Sequence, residues 1–154
     1  MNSSIEIIDS LKLAHKLIDR TRDGKVTWEV SVSRNLLMAL TPADLSEATS
    51  FYTTLEGNLR AEVSLIQEPE ELFKFSLVES FSAGGTLLSG MILNPDKEIL
   101  SVSIEKDPSF GFDSPSEKEL NKALVDLYSL ARRSALKIEG SVQKALTYLD
   151  KLAV

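Results

Sequence analysis

The sequence predicts an α+β fold: an antiparallel meander of about six strands, with an N-terminal helix and a C-terminal helix or helix pair packed on one face. Three observations predict it. Apolar residues recur at helical spacing from Ser116 to Ile138, they alternate from Phe51 onward, and helical spacing is also present from Ser3 to about Arg22.

The C-terminal stretch is the clearest. Ser116 followed by Glu119 reads as a capping box, in which each side chain satisfies a backbone N–H that the first turn leaves free. Leu120, Ala123, Leu124, Leu127, Ala131, Ser134, Ala135 and Ile138 then share one side, while Lys118, Lys122, Asp126 and Arg133 point away. Three buried leucines at about 2 kcal/mol each make a contribution to the core that few other stretches match. The stripe stays in phase through Val142, Ala145, Leu146 and Leu149, with Gly140 interrupting it. An unbroken helix to Leu152 would run to roughly 55 Å, longer than a compact domain of this size, so a kink or break is expected near residues 137–141. The alternative is a protruding helix that pairs with a second chain through the same stripe.

At the other end, Ser3 and Glu6 form a second capping box. Ile7, Leu11, Ala14 and Ile18 share a face with Leu17 at its edge, and Gly24 stands where a helix commonly stops. Residues 25–32 alternate, with Val26, Trp28, Val30 and Val32 on one side, which predicts a half-buried strand. In residues 33–49 the apolar Leu36, Leu37 and Leu40 suit a buried strand or a helical turn equally. Thr41, Pro42 and Asp44 suggest a short helix over 42–49.

From Phe51 the period is two. Phe51, Thr53 and Leu55 alternate on one side of Gly57-Asn58, which reads as a two-residue hairpin turn, and Leu59, Ala61, Val63 and Leu65 alternate on the other. A turn around Pro69 leads to Phe73, Phe75 and Leu77. Gly84-Gly85 leads to residues 87–93, and Asn94-Pro95-Asp96 leads to residues 99–104. The outer face of the sheet carries Thr27, Glu29, Arg60, Glu62, Ser64, Lys74 and Ser76, which is a solvated pattern.

Length and composition set bounds. The 154 residues suit a single domain over 1–154 with one core. There is no cysteine, which excludes disulfides, thiolate metal sites and a cysteine nucleophile, and fits a cytoplasmic location. No run is long and apolar enough to span a membrane, so no membrane partner is expected. The net charge is −6, with −6 in residues 35–80 against +3 in 11–34 and +2 in 116–154. An acidic middle disfavours duplex nucleic acid, whose phosphates require Lys and Arg.

Chemistry-bearing motifs are scarce. His15 is the one histidine and lies at the border of an apolar stripe, with no H-E-x-x-H and no second imidazole, so no metal site is expected. Gly84, Gly85 and Gly90 lack the Lys-Ser or Lys-Thr of a phosphate loop, and no Gly-x-Ser-x-Gly elbow occurs. The acids around Pro69, namely Glu68, Glu70 and Glu71, and the pair Asp96 and Glu98, read as solvated turn residues without the spacing of a calcium loop. No catalytic residue and no cofactor is therefore assigned.

The most suggestive constellation is Tyr128, Arg132 and Arg133, with Trp28 in the neighbouring strand. An arginine four residues from Tyr128 either stacks on the ring and binds an anion, or covers the ring and pairs with a sheet acid such as Glu29. Phe110 and Phe112 sit in the loop 106–115 and form either an exposed recognition loop or rings tucked beneath the last helix, the commoner arrangement.

With Lys16-Leu17-Ile18, Thr21 to Glu29 (TRDGKVTWE) and Leu127 to Leu136 (LYSLARRSAL) together resemble a loose group of small bacterial and mobile-element proteins. These begin with a helix running into T-x-x-G-K-x-x-W-E and close on L-Y-x-x-A-R-R-x-A-L. The resemblance implies helix, then sheet, then helix, and implies no activity.

Scarce catalytic groups beside a well-formed fold predict a non-enzymatic interaction protein, acting on a protein partner or by self-association. The alternative is a binder of a small anionic ligand such as a nucleotide, for instance a sequestering protein from a mobile element, using Arg132, Arg133, Tyr128, Phe110 and Phe112.

Overall fold

The first helix, α1, spans Ser4–Arg22 and starts where Ser3 accepts the backbone N–H of Glu6 at 3.2 Å. It ends on Gly24, whose φ of 75° is open to glycine without steric cost. There the N–H of Lys25 reaches the carbonyl of Arg20 and that of Gly24 reaches Thr21, the paired bonds of a Schellman stop. Ile7, Ser10, Ala14, Leu17 and Ile18 are buried, so Leu17, at the edge of the stripe, is covered along with the rest of it. These coordinates come from a computed structural model that describes residues 3–31, 49–67, 69–79, 87–88, 91–92 and 97–152.

Five strands form one antiparallel sheet in the order β1-β2-β3-β4-β7: β1 (Glu29–Val30), β2 (Ser50–Thr54), β3 (Leu59–Ile66), β4 (Leu72–Glu79) and β7 (Lys97–Glu105). The remaining two, β5 (Leu87–Leu88) and β6 (Met91–Ile92), pair only with each other as a separate ribbon. The six-strand meander is thereby corrected to five strands. After β4 the chain makes a ribbon of its own and returns to pair β7 with β4, with Leu77 opposite Leu100 and a register shift next to Val78. The first strand starts later than its alternation suggested. Among the described residues Glu29 and Val30 pair with β2 and the N–H of Ser31 reaches the carbonyl of Ser50. Trp28 before them is 3% exposed and so lies on the expected buried side, and Val32 lies outside the described residues.

The hairpin between β2 and β3 closes with three residues instead of two. Thr54 pairs with Arg60 and the N–H of Leu55 reaches the carbonyl of Leu59 at 2.8 Å, leaving Glu56, Gly57 and Asn58 as the turn. Gly57, with φ 71°, supplies the left-handed residue at its centre. The helix suggested over 42–49, the turns at Gly84-Gly85 and Asn94-Pro95-Asp96, and all of 33–49 except Thr49 lie outside the described residues.

The second helix, α2, spans Pro115–Ala135. Its cap is Ser114, which accepts the N–H of Glu117 at 3.2 Å, and not Ser116. Two Ser-x-x-Glu frames overlap here, and Pro115 decides between them. With Ser114 as the cap, the proline falls at the first helical position, where its missing N–H leaves nothing unsatisfied. Leu120, Leu124, Leu127 and Ala131 are fully buried against Phe51, Ala61, Val63, Phe73, Phe75, Val102 and Ile104 of the sheet, with α1 beside them.

The third helix, α3, spans Ile138–Leu152. The expected break falls at Leu136 and Lys137, where Lys137 takes φ 55°, and Gly140 lies inside α3. Ser134 already meets the edge of the sheet through Trp28, so past Ala135 the helix has run off its support. Of the two arrangements expected at the C-terminus, a single helix packs on the sheet and the second leaves it.

The opposite sheet face is polar. The hydroxyl of Tyr52 donates to Glu29 at 2.6 Å, the Arg60 guanidinium lies 5.4 Å from the centre of the Tyr52 ring and 3.0 Å from Glu62, and Lys74 pairs with Glu98 at 3.0 Å. The hydrogen bond to Glu29, together with partial burial and the Glu29 charge, holds the Tyr52 phenol above its ordinary pKa. Ser76, expected to be solvated on this face, is 2% exposed.

Candidate functional site

Two surface features stand out from this scaffold. The first is α3 itself. Its heptad-like spacing puts Val142, Leu149 and Leu152 on one side, flanked by Leu146 and Tyr148, yet every residue from Ser141 to Leu152 is exposed. Leu149 and Leu152 are about 60% exposed and Leu146 about half. On α2 the same kind of stripe is wholly buried, so burial here is set by what lies underneath and not by the pattern.

The second is a hollow of about 830 Å³ at the end of the sheet, between the start of β4, the end of β7 and the loop before α2. Pairing of Leu72 with Glu105 brings Glu70 and Glu71 beside Glu105, the loop adds Asp107 and Asp113, and the first turn of α2 adds Glu117. Lys106 pairs with Glu71 at 3.2 Å, its N–H bonds the Glu71 carbonyl, and Asn121 of α2 donates to the carbonyls of Glu105 and Lys106. A hydrogen bond with Glu70, the charge of Glu70, slight desolvation and the charge of Asp113 raise the Glu105 carboxyl above its ordinary pKa. The sequence shows Glu70 and Glu71 as turn acids, and only the tertiary structure brings Glu105, Asp107, Asp113 and Glu117 beside them.

Phe110 and Phe112 both line this hollow, but they differ. Phe112 packs against the core, as expected, whereas Phe110 is fully exposed, which corrects the expectation that both rings tuck beneath the last helix. Tyr128 does not reach the hollow. Its ring packs on Phe51 and Phe73 at 5.6 and 5.8 Å, and burial raises its phenol pKa against the opposing charges of Arg132 and Lys106. Arg132 is half-buried near that ring and Arg133 is exposed on α2. The five residues of the anion-binding reading are thus divided between the helix-covered edge and an acid-lined hollow, and carboxylates repel an anionic ligand there.

Trp28 contributes structure to the same edge. Its indole N–H donates to Thr21 and its backbone N–H to Ser134, both at 2.9 Å, while Glu29 beside it accepts from Tyr52. His15 lines a shallow groove between α1 and α2 with Asp19, Arg22, Glu119, Lys122 and Asp126. Among the described residues no three His, Asp or Glu side chains are placed to hold a metal ion. No described helix is long and apolar enough to cross a membrane.

Compared with protein-family models, curated proteins and solved structures, the chain matches none of them.

Proposed function

We propose that this is a non-enzymatic binding protein that acts by protein–protein contact, and that α3 is the element it offers. The supporting observation is the exposure of the apolar stripe over Ser141–Leu152. A helix of 15 residues is marginal in water by itself, and most helical stability comes from covering an apolar face. The contacts of α3 are chiefly with α2, so a covering surface must come from elsewhere. Contiguous exposed apolar area of this kind marks interaction sites on soluble domains. The absence of cysteine suits a cytoplasmic setting for such a protein.

The test compares the full chain with the double variant Leu146→Asp/Leu149→Asp, by size exclusion with light scattering and by affinity capture. The reading expects an association, with itself or with another protein, that the variant loses while keeping the thermal midpoint of the parent. A monomer whose captured proteins are the same with and without the two substitutions overturns it.

A further inference from the structure

The shape and charge of α3 specify its partner further, given that α3 is the docking element. At 100° per residue the apolar arc runs from Tyr148 and Leu152 through Leu149 and Val142 to Leu146, about 160° of the helix circumference. A two-stranded seam covers only the narrow line of two positions per heptad and would leave Leu146 and Tyr148 wet. An arc this wide is covered by a groove, in which two elements of a partner flank the helix.

Charge then separates one kind of groove from other surfaces. Lys144 and Lys151 lie two turns apart on the flank next to Tyr148, while the flank next to Leu146 carries Asp150 and Gln143. A helix lying on an anionic membrane presents basic residues along both borders of its apolar face, and here one border is acidic. An antiparallel pair of α3 helices from two copies sets the lysine flank of one against the lysine flank of the other, and a parallel pair, whose unlike flanks meet, is still a two-stranded seam that leaves Leu146 and Tyr148 wet. We propose that α3 docks into an apolar groove of a different protein, whose rim carries carboxylates opposite Lys144 and Lys151.

The test places a photo-crosslinker by Tyr148→p-benzoylphenylalanine in the full chain, identifies the protein joined to it in cells of the source organism, and titrates that purified protein against the unlabelled chain. The proposal expects Leu149→Asp to abolish binding. It expects Lys144→Glu/Lys151→Glu to weaken binding by about tenfold at low salt, with the difference shrinking at high salt. Loss of binding with Leu149→Asp but no effect of the charge reversal overturns the acidic rim and leaves α3 as the docking element. Crosslinking that Leu149→Asp does not alter, or no crosslinked protein at all, overturns both. A dimer by light scattering that Leu149→Asp makes monomeric assigns the face to a second copy. Co-sedimentation with phosphatidylcholine–phosphatidylglycerol vesicles that Leu149→Asp abolishes assigns it to a membrane. Either result rejects the groove.

Discussion

The backbone N–H of Trp28 donates to the hydroxyl of Ser134 at 2.9 Å, across 106 residues of chain. It ties the entry of the first strand to the last turn of α2, at the point where that helix leaves the sheet. Trp28 is held a second time through its indole, by Thr21, whose own hydroxyl donates to the carbonyl of Leu17 at 2.6 Å. Removing the acceptor leaves a part-buried N–H unsatisfied. Ser134→Ala is therefore expected to cost about 1–2 kcal/mol in denaturant unfolding. Unchanged stability would show that water replaces the serine.

The two C-terminal helices should respond to the same substitution by very different amounts. Leu124→Ala removes a fully buried side chain and should cost about 3 kcal/mol. Leu149→Ala removes one that is 58% exposed and should change stability by less than about 0.5 kcal/mol. Chemical denaturation of the isolated protein measures both, and a comparable loss for Leu149→Ala would mean that α3 is already covered.

Ser10 is fully buried on α1, and its hydroxyl has no hydrogen-bond partner among the described residues. Alanine removes the buried polar group and has the higher helix propensity. Ser10→Ala should raise stability by about 0.5–1 kcal/mol, and a loss would reveal a partner for the hydroxyl.

Lys137 holds a left-handed backbone, with φ 55°, between α2 and α3. That conformation costs an L-residue about 1 kcal/mol, and glycine adopts it freely. Lys137→Gly should raise the thermal midpoint slightly. A lowered midpoint would indicate that the lysine side chain, and not the backbone, sets the junction.

Glu105 carries a pH signature. Its carboxyl is raised in the folded chain by Glu70, so the folded state holds that proton more tightly than the unfolded state does. The favourable contribution is complete below the unfolded pKa and is lost as pH rises through the folded one, where Glu105 ionises beside Glu70. Glu105→Gln should therefore raise the thermal midpoint at neutral pH and leave it unchanged in acid below the carboxylate range. A midpoint difference that is constant with pH would exclude the Glu70 contact as its cause.

Much of the core was legible because burial obeys local periodicity. Leu120, Leu124, Leu127, Phe51, Val63, Phe73 and Phe75 all face inward as their spacing implied. Turn and cap details were less legible. The two overlapping Ser-x-x-Glu frames at Ser114 and Ser116 look alike until the proline is assigned its position, and the hairpin closes on three residues because the register is set along the whole of β2 and β3. The candidate surfaces were legible only in part. The stripe of α3 could be read, and pairing through it was one of the arrangements expected, but not that the stripe is left uncovered. The acidic hollow could not be read at all, because Glu70 and Glu105 meet through a strand pairing across 35 positions of the numbering.

What the sequence by itself determined is the α+β class, the Ser3 cap of α1 and the identity of most buried faces, since these depend on neighbours within a turn or a strand. Only the tertiary structure decided that β5 and β6 stand apart from the sheet, where within 137–141 the expected helix break falls, and that one apolar stripe is buried while the next is open. Those outcomes depend on where the sheet ends beneath the helix, which is fixed by contacts between residues far apart in the chain.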